Sequence, residues 1–275
     1  MWLLTLRSIM VATDLGEASR PALRTGARLA QLAGAALHLL HVADDPPPGG
    51  EARLREHFGL AVPDAPGPDG VAVIPGSPAA VIVEHAVRLG ADAVILGPHR
   101  KQGAAGAMGS TAAGVVVAAP CPCLVAAAEL RLPLERVVVP VDLSEIAGGA
   151  LSVALSWASA LRPPGGEARL TALHVAPDPA SAAAGQAVRE EVRRARARAG
   201  GAAHVEILER VAPGSDPVEE ILRAALAEPA DLLVMGTRGA AGAASGFGSV
   251  SAAVARRAPC PLLLVPPAAW REQGA

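Results

Sequence analysis

Short runs of Val, Ile and Leu recur along the chain, separated by longer stretches in which apolar residues return at helical spacing. In the C-terminal half these runs predict strands near 136–141, 169–175, 204–211, 231–236 and 261–265. The stretches between them predict helices near 145–161, 181–199, 217–227 and 249–257. Apolar strands joined by long helical crossovers form a parallel sheet covered on both faces. The predicted architecture is therefore α/β and doubly wound.

The pattern occurs twice. "RSIMVATDLGEAS" (Arg7 to Ser19) matches "ERVVVPVDLSEIA" (Glu135 to Ala147), and "LHLLHVADDP" (Leu37 to Pro46) matches "LTALHVAPDP" (Leu170 to Pro179). "PGSPAAVIVEHA" (Pro75 to Ala86) matches "PGSDPVEEILRA" (Pro213 to Ala224), and "ADAVILGPHR" (Ala91 to Arg100) matches "ADLLVMGTRG" (Ala230 to Gly239). "GSTAAGVVVAAPCPCLVA" (Gly109 to Ala126) matches "GSVSAAVARRAPCPLLLV" (Gly248 to Val265) without a gap. Five matches in one order define a tandem repeat. The join lies near Glu129 to Leu134, giving domains 1–129 and 130–275, each expected to hold a five-stranded sheet. The first repeat is shorter between its second and third strands. Asp44 to Gly70 there is rich in Pro and Gly, predicting at most a short helix near 51–58 within an exposed connection.

Composition narrows the picture. The chain is 51% hydrophobic, but it has no Tyr, two Phe and three Trp, so the core must be Val, Leu, Ile and Ala. A net charge of −2 leaves no electrostatic footprint for nucleic acid. The one basic run, Arg189 to Gly200, reads as a solvated helix end in which Glu190 pairs with Arg194. Cys121, Cys123 and Cys260 supply neither a disulfide framework nor a zinc set. They read as small core residues in a reducing, cytoplasmic compartment. "MWLLTLRSIMVATD" reads as a strand rather than a targeting segment, and no run of about twenty apolar residues predicts a membrane span.

In open α/β sheets a ligand lies beyond the carboxyl ends of the strands, at the point where strand order reverses. In the second repeat that points to Val141–Ser144 after strand one and Gly236–Gly239 after strand four. The stretch "MGTRGAAGAASGFGSVS" (Met235 to Ser251) has Gly at 236, 239, 242, 246 and 248 and runs into a helix at Gly248-Ser249. Glycines let backbone approach a ligand, and free N–H groups at a helix start hold anions. Ser249 is placed to cap that helix and to offer a hydroxyl. The spacing is neither a Walker A loop nor a G-x-G-x-x-G fingerprint. Loop composition alone fits a plain Gly/Ala connection equally well. Asp142 and Asp14, at the ends of the two first strands, fit either a ligand contact or a helix cap. Arg238 and Arg100 read as phosphate partners or solvated loop cations, and His99 as a surface histidine.

Taken together, the repeat and the motifs "VPVDLSE", "LHV", "VMGTRG", "GSVS" and "APCPLLLV" resemble the universal stress protein family over nearly the whole chain. The resemblance implies two tandem domains of a Rossmann-like, adenine-nucleotide α-hydrolase-like (HUP) fold. It also implies a cytosolic stress-response protein that binds ATP, with Mg²⁺ held mainly by the phosphates. The nucleotide-binding branch has Gly, two residues, Gly, nine residues, then Gly-Ser or Gly-Thr. Here eight residues separate Gly239 from Gly248-Ser249, so the loop is one residue short. Carried over by position, Asp142 meets the adenosine part near Pro140 and Val141, and Val175 lines the adenine pocket. Gly236 and Gly239, with Met235 beside them, approach ribose and phosphates, and Gly248, Ser249 and Val250 hold the outer phosphates. The matching set in the first repeat is Asp14, Val42, Gly97, Gly109 and Ser110, a second site. There Arg100 replaces the second Gly, Pro98 stiffens the turn, and Ala12 replaces the usual Pro. The better site is expected in the second repeat.

No paired carboxylates, Ser–His–Asp set or positioned base accompanies the loop, so the residues argue at most for slow ATP hydrolysis. An α-hydrolase enzyme of the related type would need a different Gly-rich loop after strand one, which "VDLSE" is not. The competing reading is an interaction module of the same fold that binds no nucleotide. The apolar final strands, "CPCLVA" and "CPLLLV", are expected at sheet edges. In the resembled family that strand pairs two domains, which implies an intramolecular pseudo-dimer and leaves a homodimer open. No nucleic-acid or membrane partner is expected.

Overall fold

A computed structural model describes residues 6–98, 108–200, 202–238 and 246–271. The chain falls into two compact units that divide between Leu130 and Arg131. The first unit runs β1 (Ser8–Ala12), α1 (Arg20–Ala33), β2 (Ala36–Val42), α2 (Gly50–Ala61), β3 (Gly70–Ile74), α3 (Pro78–Leu89), β4 (Ala93–Leu96), α4 (Ser110–Ala118) and β5 (Cys123–Val125). Its strands pair in parallel in the order β3-β2-β1-β4-β5. The second unit runs β6 (Arg136–Pro140), α5 (Glu145–Leu161), β7 (Ala168–Ala176), α6 (Ala182–Arg198), β8 (Val205–Pro213), α7 (Pro217–Ala227), β9 (Leu232–Gly236), α8 (Ser249–Arg257), β10 (Leu262–Val265) and α9 (Ala268–Arg271). Its parallel order is β8-β7-β6-β9-β10. In each unit the order reverses beside the first strand, between β1 and β4 and between β6 and β9. That is where a doubly wound sheet opens a crevice.

The central strands are buried on both faces. Ile9, Met10 and Val11 of β1, and Leu232, Leu233 and Val234 of β9, have no exposure. This is why they read as unbroken apolar runs. Two buried or half-buried aspartates fix how the sheets begin. Asp92 Oδ2 accepts the N–H groups of Arg7 and Ser8 at 2.7 and 2.9 Å. Asp231 Oδ2 accepts those of Glu135 and Arg136 at 3.0 and 2.9 Å. Helix ends follow their capping residues. Pro217 opens α7 behind Asp216, whose side chain accepts from Val218 N and Glu219 N. Gly34 ends α1 in the left-handed region. Glu190 pairs with Arg193 and Arg194 on α6, and all three cysteines are free and buried.

Two elements differ from the sequence reading. Helix α2 is longer than the short helix expected near 51–58, and it buries Leu54, Phe58 and Ala61 against its unit. Its apolar face is sparse in sequence but complete in space. Helix α9 was not foreseen. Four residues do not form a helix by propensity; here Trp270 lies over Gly149 of α5, where any Cβ would come within 2.6 Å of the indole. Among the described residues no helix is long and apolar enough to cross a membrane.

Candidate nucleotide-binding site

The site of the second repeat is assembled from three strand ends and one helix start. Strand β6 delivers Pro140, Val141 and Asp142, and β7 delivers Leu173, His174 and Val175. Strand β9 ends on Met235 and Gly236, and α8 begins after Gly248. With Pro217 and Ile221 of α7, Arg238 and Phe247, these residues line one cavity of about 640 Å³. Its wall is apolar toward Leu173, Val175 and Ile221, and polar toward Asp142, Arg238, Ser249 and Ser251.

Hydrogen bonds hold the loop ends together. Gly248 N–H donates to Thr237 O at 2.8 Å, closing the loop on itself. Ser251 Oγ donates to Gly236 O at 2.8 Å in a buried contact, tying α8 to the end of β9. Helix α8 starts behind Gly248 with no side-chain cap. The sequence reading gave that role to Ser249, but Ser249 is already the first helical residue, and it is exposed. The first-turn residues Ser249, Val250 and Ser251 all line the cavity. N–H groups of a first turn lack partners within their own helix.

In the turn after β6, Asp142 is not the cap of the helix that follows. Ser144, not Asp142, caps α5 by accepting from Ala147 N at 3.3 Å. Asp142 Oδ1 accepts from Ser144 N and Ser144 Oγ at 3.1 and 2.5 Å, so it braces the capping residue while itself lining the cavity. Leu143 between them has a φ of 63°, a left-handed conformation that leucine adopts only under constraint.

Nine of the ten positions expected at this site (Pro140, Val141, Asp142, Val175, Met235, Gly236, Gly248, Ser249 and Val250) therefore line one cavity. Gly239 lies outside the described residues, as do His99 and Arg100 of the first repeat.

The first repeat has the same frame with less room. Asp14, Val42 and Gly97 line a cavity of about 170 Å³ with Ala12 and Pro98. Gly109 and Ser110 do not line it; Thr111 and Ala112, the next residues of α4, do. The turn before α1 is tightly tied beside this cavity. Thr13 Oγ1 donates to Ser19 Oγ at 2.7 Å, and Ser19 Oγ donates to Gly16 O at 2.7 Å. His57 Nε2 of α2 stands 3.3 Å from the same hydroxyl. Ser19 is thereby drawn against Gly97, where a Cβ would come within 3.1 Å of the Ser19 Cα. In the second repeat Val141 and Ala147 occupy the positions of Thr13 and Ser19 and lack the hydroxyls of that network.

Sequence reasoning passed over one pair of residues. His174 Nδ1 donates to Val141 O at 2.8 Å, and His41 Nδ1 donates to Thr13 O at the same 2.8 Å. The signal was present as "LHV" in both repeats, but only the Val had been given a role. Phe247 and the α7 residues Pro217 and Ile221 were also unforeseen; they are brought to the cavity by folding alone.

The sequence matches the universal stress protein family twice, over residues 5–127 and 133–266. It is 58% identical over 50 residues to a Thermus aquaticus universal stress protein encoded 3′ of a sulfhydrylase; that match spans 18% of this chain and 36% of the relative. The structure is similar to a universal stress protein from Archaeoglobus fulgidus, with a TM-score of 0.70 at 21% identity over 96% of this chain and 99% of that one. A universal stress protein solved in complex with cAMP is 31% identical over 49% of this chain and 98% of its own, with a TM-score of 0.39. With two family segments covering nearly its whole length and a full-length structural likeness, the chain belongs to the universal stress protein family.

Proposed function

We propose that the second repeat binds an adenine nucleotide, with ATP and Mg²⁺ as the ligand the family resemblance implies, and that the protein is a regulatory binder. The observation that carries this reading is the gathering of Pro140, Val141, Asp142, Val175, Met235, Gly236, Gly248, Ser249 and Val250 around one cavity of about 640 Å³. Small-molecule sites span roughly 300–1,000 Å³; the first repeat's 170 Å³ falls below that range. An adenine fits the apolar wall of Leu173, Val175 and Ile221, and the ribose lies toward Asp142. The phosphates fit the start of α8, where no side chain caps the helix and Arg238 stands nearby as the cation. A divalent cation would be held chiefly by phosphate oxygens.

The regulatory consequence is linkage. A ligand that binds only the folded second repeat stabilises it by RT ln(1 + [L]/Kd), about 2.7 kcal/mol at a hundredfold excess over Kd. The small first cavity favours a different role for the first repeat, as an interaction module without nucleotide.

Calorimetric titration of the protein, stripped of copurified nucleotide, with ATP and Mg²⁺, ADP, AMP and cAMP tests both readings. One nucleotide per chain is expected. Two per chain would overturn the role given to the first repeat. No heat at millimolar nucleotide, with none released on denaturation, would overturn nucleotide binding altogether.

A further inference from the structure

The peptide that leads into Asp142 is held by more than the sheet. Pairing of β6 with β7 ends at Pro140 and Leu173. One more backbone bond follows, from Val141 N–H to Leu173 O at 2.8 Å. The next rung comes from a side chain: His174 Nδ1 donates to Val141 O at 2.8 Å. A carbonyl oxygen only accepts, so this contact requires the ring proton on Nδ1.

This rung lies at a sensitive point. The Val141 carbonyl and the Asp142 nitrogen share one rigid peptide plane. Immediately beyond, Leu143 takes its left-handed φ of 63° and the chain leaves the sheet. A strained turn of this kind persists only where its surroundings over-determine it. Fixing the Val141 oxygen fixes the plane from which the Asp142 side chain departs. Asp142 and His174 both line the same cavity.

The first repeat repeats the device. Pairing of β1 with β2 ends at Ala12 and Leu40, Thr13 N–H donates to Leu40 O at 3.0 Å, and His41 Nδ1 donates to Thr13 O at 2.8 Å. Leu15 then takes a φ of 62°. The residue carrying the carbonyl differs, Thr13 against Val141, while the histidine, the bond length and the left-handed leucine are the same.

We infer that His174 is a positioning residue for the second repeat's ligand: its Nδ1–H···O bond to Val141 sets the peptide plane that presents Asp142 to the cavity. This rests on the nucleotide reading above. The nucleotide need not touch the imidazole for its affinity to depend on it.

The test compares variants of the full chain by calorimetry with ATP and Mg²⁺, alongside thermal unfolding. Losing one hydrogen bond of this kind corresponds to roughly a tenfold rise in Kd, expected for His174→Leu. His174→Gln places its amide where Nε2 stands and is expected to weaken binding likewise. His174→Asn offers an N–H at the position of Nδ1 and is expected to recover most of the affinity. His41→Leu breaks the matching bond of the first repeat and is expected to lower the melting temperature without raising Kd. If His174→Leu misfolds, the contrast between Asn and Gln carries the test. Equal affinities of the Asn and Gln variants, or a His174→Leu variant that binds like the unaltered chain, would overturn the inference and leave the nucleotide reading standing. No binding by the unaltered chain would overturn both.

Discussion

The two repeats end their first, second and fourth strands on the same frame, yet the second encloses about 640 Å³ and the first about 170 Å³. Both have an Asp in the turn after the first strand, a left-handed Leu behind it, a histidine pinning the carbonyl before it, and a glycine-led helix. The frame therefore does not decide whether a ligand has room. What differs is the start of the helix that follows. Thr13 and Ser19 join by their hydroxyls in the first repeat, and Ser19 stands against Gly97. Val141 and Ala147 have no hydroxyls with which to do so. A buried hydroxyl pair thus accompanies the smaller cavity, and apolar residues stand at the same positions beside the larger one.

The sharpest way to break this comparison is to fill each copy at its matching glycine. Gly236→Val places bulk at the edge of the open cavity and is expected to raise the nucleotide Kd at least ~100-fold, beyond what a single lost hydrogen bond explains. Gly97→Val meets the Ser19 backbone, 3.1 Å from its Cβ position, and is expected to cost about 1–3 kcal/mol of stability with nucleotide affinity retained. Calorimetry and urea unfolding of both variants read the two effects. Affinity lost at Gly97→Val and kept at Gly236→Val would reverse the assignment of the repeats.

The aspartates give the next largest contrast. Hydrogen bonds to charged groups contribute about 1.5–3 kcal/mol. Asp142→Ala is therefore expected to weaken the nucleotide ~10–100-fold and to loosen the Ser144 cap of α5 as well. Asp14→Ala breaks the bond from Gly16 N–H and is expected to leave nucleotide affinity within about twofold, the span of an undisturbed site. Equal losses at the two aspartates, measured by the same titration, would mean that the first repeat binds too.

A smaller effect belongs to Ser251, whose hydroxyl bonds Gly236 O and whose counterpart in the first repeat is Ala112. Ser251→Ala is expected to cost about 1 kcal/mol of stability and to weaken the nucleotide a few-fold, because α8 is no longer tied to β9. Unchanged affinity in that variant would show that the phosphate end of the site does not depend on this tie.

The layered fold was legible because the central strands are buried on both faces and the crossovers carry helical stripes, so local pattern and tertiary environment agree there. The residues that line the second repeat's cavity were legible because strand ends, a glycine-led helix and a repeat point to one crevice. Three features were not. Ser249 looks like a cap, but the extended conformation of Gly248 starts the helix one residue earlier. Helix α9 exists through the docking of Trp270 on Gly149, a contact between residues far apart in sequence. Beside the first cavity, Thr13, Ser19 and His57 meet through their side chains, a contact that periodicity does not encode. His174 and His41 were open to discovery, since a polar residue recurring at the end of an apolar strand in both repeats asks for a partner.

The smallest contrast concerns pH. Burial pushes the Cys121 and Cys260 thiols up to about 12 and Cys123 well above its ordinary value. In the unfolded chain thiols ionise near pH ~8.5 while the folded ones stay neutral, so stability is full below that value and is lost as pH rises toward 12. On the acid side, burial lowers His57, helped by the Arg20 charge, and lowers His85, helped by Arg88. The unfolded imidazoles take up protons first, so this contribution is lost as pH falls through 6.5 and below. Two of the three thiols and both of these histidines belong to the first repeat. That repeat is therefore expected to hold its protection over a narrower pH range than the second. Amide hydrogen exchange, corrected for intrinsic rates and followed by peptide at about pH 5.5, 7.5 and 9.5, reads each repeat separately. Protection should fall first in β1, β4 and β5 at both extremes, and no thiol should react with a disulfide reagent at about pH 8 until urea is added. Earlier loss in β6 and β9 would mean that the first repeat's thiols and histidines do not set the order of opening.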